Sequence, residues 1–266
     1  MPRFYIFMKE YFVSDLIGIS IVTVSYGDID GLTKTLRSID SQTSLPVKNI
    51  VIASGYRSAE KKGLISNFSR EWRSFIFDRD SSLYNAMNLG LEKCEGRFVL
   101  FLNGGDTFLD SDIMDLLNSS VEVGHCNLYR TSQAYGSIRF LRPKKSRLSL
   151  LKKFPGHQGF LAPLPEALEF CFDENKRISA DLHWMLRIMS KCHAVTHENV
   201  ITQFELGGVS NRPTVQTVKK RLKDDGLVVG VKEVVKLGLF LILGPSLSYL
   251  LLFGVKYDVK FMPKSK

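Results

Sequence analysis

A few carboxylates, two glycines and one histidine stand where a ligand would need them. Asn103-Gly104-Gly105-Asp106 closes an apolar run at residues 97–102. Two glycines let a backbone approach a ligand closely, and a carboxylate beside them can hold a hard cation such as Mg2+. Asp106 would equally suit a surface turn or a cap for a helix expected from about residue 110. Asp181, in Ser179-Ala180-Asp181-Leu182-His183-Trp184, falls in the first turn of another expected helix. The helix dipole stabilises a carboxylate there, so capping alone would explain it. A general base also needs a cleft and a nearby proton donor. His157 follows Phe154-Pro155-Gly156 and reads either as a metal or phosphate ligand or as a polar loop residue. His125, His193 and His197 have no spacing that argues for a role.

Regular elements must bring these groups together. Residues 19–25 form a β-branched run of strand length, followed by a helix expected over about 28–40. Apolar runs at 49–53, 75–77 and 97–102 alternate with helical stretches at about 58–70 and 81–93. In the second of these, Ser81 or Ser82 can cap the N-terminus, with Leu83, Met87 and Leu91 on one face. Strands alternating with helices of this length predict βαβ units and a mostly parallel sheet, with ligands beyond the carboxyl ends of the strands. Those ends carry Ser25-Tyr26, Asp78 to Asp80, and Asn103 to Asp106. Beyond residue 120 the pattern shifts to hairpin-like runs at 121–129 and 135–141, then short strands and a helix near 179–190.

The chain has 266 residues, 36 Lys+Arg against 27 Asp+Glu, 44% hydrophobic and 24% charged residues, which excludes wholesale disorder. Its four cysteines lie far apart without a CxxC pair, which argues against a zinc ribbon or redox motif and fits a reducing compartment. Lys9, Glu10 and Asp15 interrupt the N-terminal apolar run, so no signal peptide is expected. GxGxxG, GxxxxGK[ST], HExxH and GxSxG are all absent, removing the main support for dehydrogenase, P-loop, zinc-protease and serine-hydrolase readings. The net charge of +9 is concentrated: residues 123–165 carry eight basic and no acidic side chains, and residues 212–266 carry eleven against four. Such blocks meet phosphates or anionic membranes, or form a solvated face. The run from Arg139 to Arg147 has little aromatic interleaving and accompanies no nucleic-acid motif, so nucleic acid is not an expected partner.

Residues 237–255 contain no charge and are flanked by Lys232, Lys236, Lys256 and Lys260. A continuous helix of this length reaches roughly 28 Å, the lower end of a bilayer-spanning length. Gly244-Pro245 sits at its middle and should kink or break it. Two short apolar helices dipping into one leaflet, with lysines at the headgroups, fit this pattern. A buried helical hairpin on the body or a second subunit is the alternative, and such a tail could dimerise as readily as it binds lipid. The division expected is a catalytic body at 1–211 and a basic, apolar membrane-association segment at 212–266.

Taken together, the residues from about 18 to 211 resemble glycosyltransferase family 2, in particular its colanic-acid and exopolysaccharide branch. Residues 19–26 are similar to the family's opening nucleotide-binding strand. Asp78-Arg79-Asp80-Ser81-Ser82-Leu83-Tyr84-Asn85-Ala86-Met87-Asn88-Leu89-Gly90 resembles its E-x-D-x-G-I-Y-D-A-M-N-x-G signature, and Phe101-Leu102-Asn103-Gly104-Gly105-Asp106 its F-L-N-S-G-D. His157-Gln158, Phe172-Asp173-Glu174-Asn175, Ala180-Asp181 and Gly207 to Asn211 follow in the family's order. The resemblance implies a GT-A fold, α/β with a mostly parallel sheet and helices on both faces. It also implies a nucleotide-diphosphate-sugar donor, Mn2+ or Mg2+, and an inverting transfer. Asp181 would correspond to the general base. Ser25, Tyr26, Asp80, Asn88, Asn103 and Gly104 would meet the donor, and Asp106 with His157 the metal. Three positions depart from the pattern. Ala53-Ser54-Gly55 stands where relatives carry an Asp after the second strand, one carboxylate is present in residues 103–106, and His183 replaces a second Asp after the base.

The function this implies is transfer of one sugar, hexosyl or N-acetylhexosaminyl, to a lipid-linked saccharide in cell-surface polysaccharide assembly. The expected location is the cytoplasmic face of the bacterial inner membrane. A catalytically impaired membrane scaffold and a nucleotidyltransferase are the rivals. The latter lacks a basic loop after the first strand.

Overall fold

The computed structural model describes residues 18–78, 82–135, 137–143, 156–176, 178–206, 213–254 and 257–261. Asp80, the basic stretch from 144 to 155 and the Gly207 to Asn211 motif lie outside them.

The strands with the densest β-branched sequence occupy the middle of the sheet, where both faces are covered. β1 (Ile19–Tyr26) pairs in parallel with β2 (Lys48–Ser54) on one side and β4 (Phe98–Phe101) on the other, and β3 (Arg73–Asp78) adds to β2, also in parallel. Val22 lies opposite both Ile50 and Phe101, so the inward faces stay in step. α1 (Ile29–Asp40), α2 (Ser58–Phe68) and α4 (Ile113–Ser120) cover one side of the strands, with Leu32, Leu36, Leu64 and Leu117 buried. α3 (Leu83–Leu91) and α6 (Ala180–Met189) cover the other, through Met87, Leu91, Trp184 and Ile188. Burying each such side chain contributes about 1.5–3 kcal/mol relative to leaving it in water. Gly90 lets α3 approach closely: a Cβ there would lie 2.4 Å from Val22 Cγ1. Ser82 caps α3, its Oγ accepting from the Asn85 N–H. Leu83, expected on the buried face with Met87 and Leu91, is instead 44% exposed, because it occupies the first turn of the helix ahead of the sheet contact.

Past β4 the sheet becomes antiparallel. β8 (Phe160–Pro163) pairs with β4 and with β6 (Cys126–Tyr135), and β6 forms a hairpin with β7 (Ile138–Pro143). The hairpin expected to start at 121 therefore starts at Cys126. β9 (Ala194–Glu205) runs parallel to β6 and pairs with the two-residue β5 (Thr107–Phe108). Between β8 and α6 lies the short α5 (Leu164–Glu169).

α7 (Val215–Asp225), capped by Thr214, leads through Gly226 at φ +83° into α8 (Leu227–Gly254). α8 breaks at Gly244, with φ 72° and ψ 169°, directly before Pro245, as the sequence leads one to expect. Its Lys232–Leu252 portion is long and apolar enough to cross a membrane by length and composition, with a mean hydropathy of 1.8. Most of it is uncovered, although Tyr249 is buried against Phe240 of the same helix and Tyr135 and Phe140 of the body. The chain then returns as β10 (Tyr257–Phe261), antiparallel to β7.

Candidate active site

At the carboxyl ends of β1, β2 and β4 the backbone is packed tightly enough to leave room for a ligand but little for side chains. Gly104 N–H donates to the Val24 carbonyl at 2.9 Å, and a Cβ on Gly104 would lie 2.6 Å from Ser25 Oγ. Tyr56 Oη donates to the Asp28 carbonyl at 2.9 Å, which makes Ser25 the donor in the 2.6 Å contact between the two hydroxyls. Burial pushes the Tyr56 phenol up. Tyr26 is 75% exposed, and its ring lies against Gly55, whose φ is +76°. An uncovered ring beside two ordered hydroxyls can stack a base and hydrogen-bond a sugar or phosphate.

Next to these groups, Thr35 on α1 fixes the Asn103–Asp106 turn. Its hydroxyl lies 2.7 Å from the Asp106 carbonyl and 3.1 Å from that of Asn103, and it accepts from the Gly105 N–H. The Asp106 side chain points inward and is 7% exposed. Oδ2 accepts from Asn103 N at 3.2 Å and Gln158 Nε2 at 3.1 Å. Burial raises this carboxyl to about 6, against the opposing pull of His157, Gln158, the Asn103 N–H and Lys34.

Gln158 belongs to a single 3-10 turn, His157–Gly159, pressed onto β6. A Cβ on Gly159 would meet the Tyr129 carbonyl oxygen at 2.3 Å, so only glycine permits this approach. The turn aims His157 between two partners: Nδ1 lies 3.2 Å from Asp181 Oδ2 and Nε2 lies 3.2 Å from Asn103 Nδ2. The pattern assigns the proton to Nδ1, donated to Asp181, with Nε2 accepting from the Asn103 amide. Burial opposes charge on His157, but the hydrogen bond and charge of Asp181, with the charge of Asp106, outweigh it and raise its pKa. Burial likewise acts to raise Asp181. The His157 hydrogen bond and charge, the Leu182 N–H and Arg221 overcome that and hold it below the usual carboxylate range. The Tyr84 hydroxyl stands 3.5 Å from Asp181 Oδ1. One histidine thus joins the Asn103–Asp106 turn, through the Asn103 amide, to the Asp181 carboxylate at a helix start.

Residues 20–171 match the sequence model of glycosyl transferase family 2, more than half of the chain. The chain belongs to that family. Two curated relatives from Mycobacterium tuberculosis, the uncharacterized glycosyltransferases MT1564 and Rv1514c, are each 27% identical over 203 residues, covering 73% of this chain and 77% of theirs. Among solved structures, S. aureus TarS 1-349 in complex with UDP-GlcNAc matches with a TM-score of 0.55 at 11% identity, over 85% of this chain and 73% of that one. The same fragment with UDP gives 0.54 over 88% and 75%. Another TarS 1-349 structure is covered to 60%, and a longer TarS chain to 45%. At these identities the TarS likeness speaks for the fold, which is the GT-A-like α/β arrangement described above.

The glycosyltransferase fold therefore gathers Ser25, Tyr26, Asn103, Gly104, Asp106, His157 and Asp181 around the strand ends. The Asp106 side chain is buried and not in a surface turn, and Asp181, in the first turn of α6, is also in contact with His157 and Tyr84. Two residues expected at the donor and the metal are engaged in other hydrogen bonds. The amide of Asn88 is held by the segment before α6: its Nδ2 donates to the Phe172 carbonyl at 3.0 Å and Glu174 Oε1 at 2.8 Å, while Oδ1 accepts from Phe172 N at 2.8 Å. Both ring nitrogens of His157, expected at the metal, have hydrogen-bond partners here, Asp181 and Asn103. Tyr84, Gln158, Thr35 and Tyr56 were not singled out from the sequence. Tyr84 and Gln158 lie inside quoted motifs, and only that adjacency could have flagged them.

Among the described residues, no three His, Cys, Asp or Glu side chains gather as ion ligands. What exists is one carboxylate, Asp106, and the Asn103 Oδ1, buried without a partner. Both are hard oxygen donors suited to Mg2+ or Mn2+, and two donors leave most of a six-coordinate shell to ligand oxygens and water. The residues fit a cation that shares its shell with a diphosphate.

Proposed function

We propose that the protein is an inverting glycosyltransferase that moves one sugar from a nucleotide-diphosphate sugar to a hydroxyl of a lipid-linked saccharide in cell-surface polysaccharide assembly. The observation that carries this reading is the pairing of Asp181 with His157. An aspartate held ionised at the mouth of the strand ends, one histidine away from the Asp106 turn, is poised to take a proton from an acceptor hydroxyl. Ser25, Tyr26 and Gly104 would receive the nucleotide and its phosphates, and Asp80 would join them. Binding of UDP and UDP-GlcNAc by TarS supports a uridine nucleotide and a hexosyl or N-acetylhexosaminyl group here.

Asp106 and Asn103 Oδ1 would hold Mg2+ or Mn2+, which when bound supplies positive charge opposite the departing diphosphate. The residues of the chain do the rest. His157 keeps Asp181 unprotonated and oriented. Tyr84 fixes the second oxygen of Asp181. Gln158 and Asn103 N–H hold the Asp106 carboxylate in place. With the base acting from the face opposite the leaving group, the anomeric centre inverts.

The uncovered apolar surface of α8, with Leu241 78% and Ile242 80% exposed between flanking lysines, supports attachment to the cytoplasmic face of the inner membrane and an acceptor presented by lipid. Asp181→Asn tests the central role. Transfer should fall about 10²–10⁴-fold with nucleotide affinity unchanged. A variant that transfers at the wild-type rate would remove Asp181 as the base.

A further inference from the structure

A cavity of about 640 Å3 adjoins the candidate site. It is lined by Ser82 and Tyr84 at the start of α3, Glu174 and Lys176 in the turn before α6, and Lys220 and Lys223 on α7. Tyr84 is common to both places, since its hydroxyl reaches Asp181. The electrostatics of the cavity are one-sided. The single carboxylate, Glu174, already accepts from Asn85 Nδ2 at 3.1 Å and Asn88 Nδ2 at 2.8 Å. Lys176 Nζ donates to a neutral carbonyl, that of Asp224, at 3.2 Å. Among the described residues, neither Lys220 nor Lys223 has an ion-pair partner. Three residues apart on one helix, they present their ammonium groups on the same side.

The cavity is also tied to the segment that leads into Asp181. Asp224 Oδ2 accepts from the Ile178 N–H at 3.2 Å, fixing the end of α7 to the turn that opens α6. Arg221, on the same helix, contributes to the lowered pKa of Asp181. Three ammonium groups with a seryl hydroxyl form the donor set that a phosphate group requires.

Resting on the glycosyltransferase reading above, we infer that this cavity binds a phosphate group carried by the acceptor and so places the acceptor hydroxyl against Asp181. The phosphates of the donor belong at the Ser25, Gly104 and Asp106 end, whereas this cavity adjoins the base. The end of α7 passes through Gly226 into the apolar α8, whose Val234 and Val235 are exposed, so a phosphate seated on Lys220 and Lys223 has apolar surface further along the same chain segment. A phosphate ester on a lipid and one on a soluble saccharide share this chemistry.

The test uses the full chain in detergent, with its donor site filled by saturating UDP and Mg2+. Inorganic phosphate and farnesyl phosphate are titrated as separate probes. The expected result is binding that weakens at least tenfold in the Lys220→Ala/Lys223→Ala double variant and is unchanged in Lys219→Ala, a lysine of α7 outside the cavity. Stabilisation by UDP should be equal in all three proteins, which shows the variants are folded. Farnesyl phosphate binding tenfold or more tightly than phosphate assigns a lipid-borne group, and equal affinities assign a soluble one. Equal binding of both probes by the double variant and the wild type, or no binding of either probe by a protein that UDP stabilises, overturns the inference alone. A protein that UDP fails to stabilise overturns the glycosyltransferase reading, and the inference with it.

Discussion

Asn88 separates two accounts of the site cleanly, because the family signature places it on the donor whereas the structure makes it a clamp. Its amide satisfies both backbone groups of Phe172 and one oxygen of Glu174. Phe172 in turn stacks on Trp184 with ring centroids 4.6 Å apart and on Tyr84 at 5.9 Å. In Asn88→Ala the two partly buried Phe172 bonds are lost at about 1 kcal/mol each, and the exposed bond to Glu174 adds a few tenths. A loss near 2.5 kcal/mol in a chain of this size lowers Tm by about 5–10 °C, at roughly 2–4 °C per kcal/mol. The assay pairs thermal denaturation with titration of UDP in Mn2+ at a temperature where the variant remains folded. The clamp account expects the Tm drop with the UDP dissociation constant unchanged. An Asn88→Ala protein that keeps its Tm but loses UDP affinity tenfold would refute it and restore Asn88 to the donor.

The buried Asp106 should cost stability in the metal-free protein. Its folded pKa of about 6 lies above the ordinary 3.8, so stability falls as pH rises from about 4 through 6, by about 3 kcal/mol in total, and stays level above. Urea denaturation in EDTA should show that Asp106→Asn lacks this fall and is the more stable protein at pH 8, yet has lost any metal-dependent gain in UDP binding; an unaltered pH dependence would contradict the assignment. Gly159→Ala drives a methyl group into the Tyr129 carbonyl, and should cost about 1–3 kcal/mol in a melting experiment while cutting transfer by displacing His157 and Gln158. Wild-type activity in that variant would mean that the turn is not under the constraint described. Leu241→Asp/Ile242→Asp places two charges on uncovered positions of α8, each costing about 2.5–3.5 kcal/mol in lipid. The protein should move from the membrane to the soluble fraction on sedimentation with its melting curve intact, and retention in the membrane fraction would argue against lipid contact through this face.

The sequence made the central strands legible because residues 19–25, 49–53 and 97–102 must be buried on both faces and are written almost entirely in apolar or β-branched residues. β9 left no comparable trace. Its sequence Ala194–Glu205 mixes His197, Glu198 and Asn199 with apolar residues, since one face is exposed and its register with β6 shifts twice. The site divides along similar lines. Asp106 and Asp181 could be picked out because a carboxylate after two glycines, or in the first turn of a helix, is a local signal. The contacts that give them different characters are not local: His157 comes to Asp181 across 24 residues and to Asn103 across 54, and Gln158 to Asp106 across 52. Asn88 shows the converse, a residue whose motif position points to a ligand while a segment 84 residues away claims its amide.

The return of the chain as β10 has a consequence for how the protein would reach a bilayer. α8 is fastened at its start by Asp224 to the turn before α6, and just past its end by pairing of Tyr257–Phe261 with β7. Both moorings are on one folded body. On a bilayer, a segment moored in this way would leave nothing to be threaded across: entry and exit would share a side, and the lysines at 232, 236 and 260 would stay in water with the body. Attachment would then require no translocation machinery, and a chain that had finished folding could still settle onto its membrane.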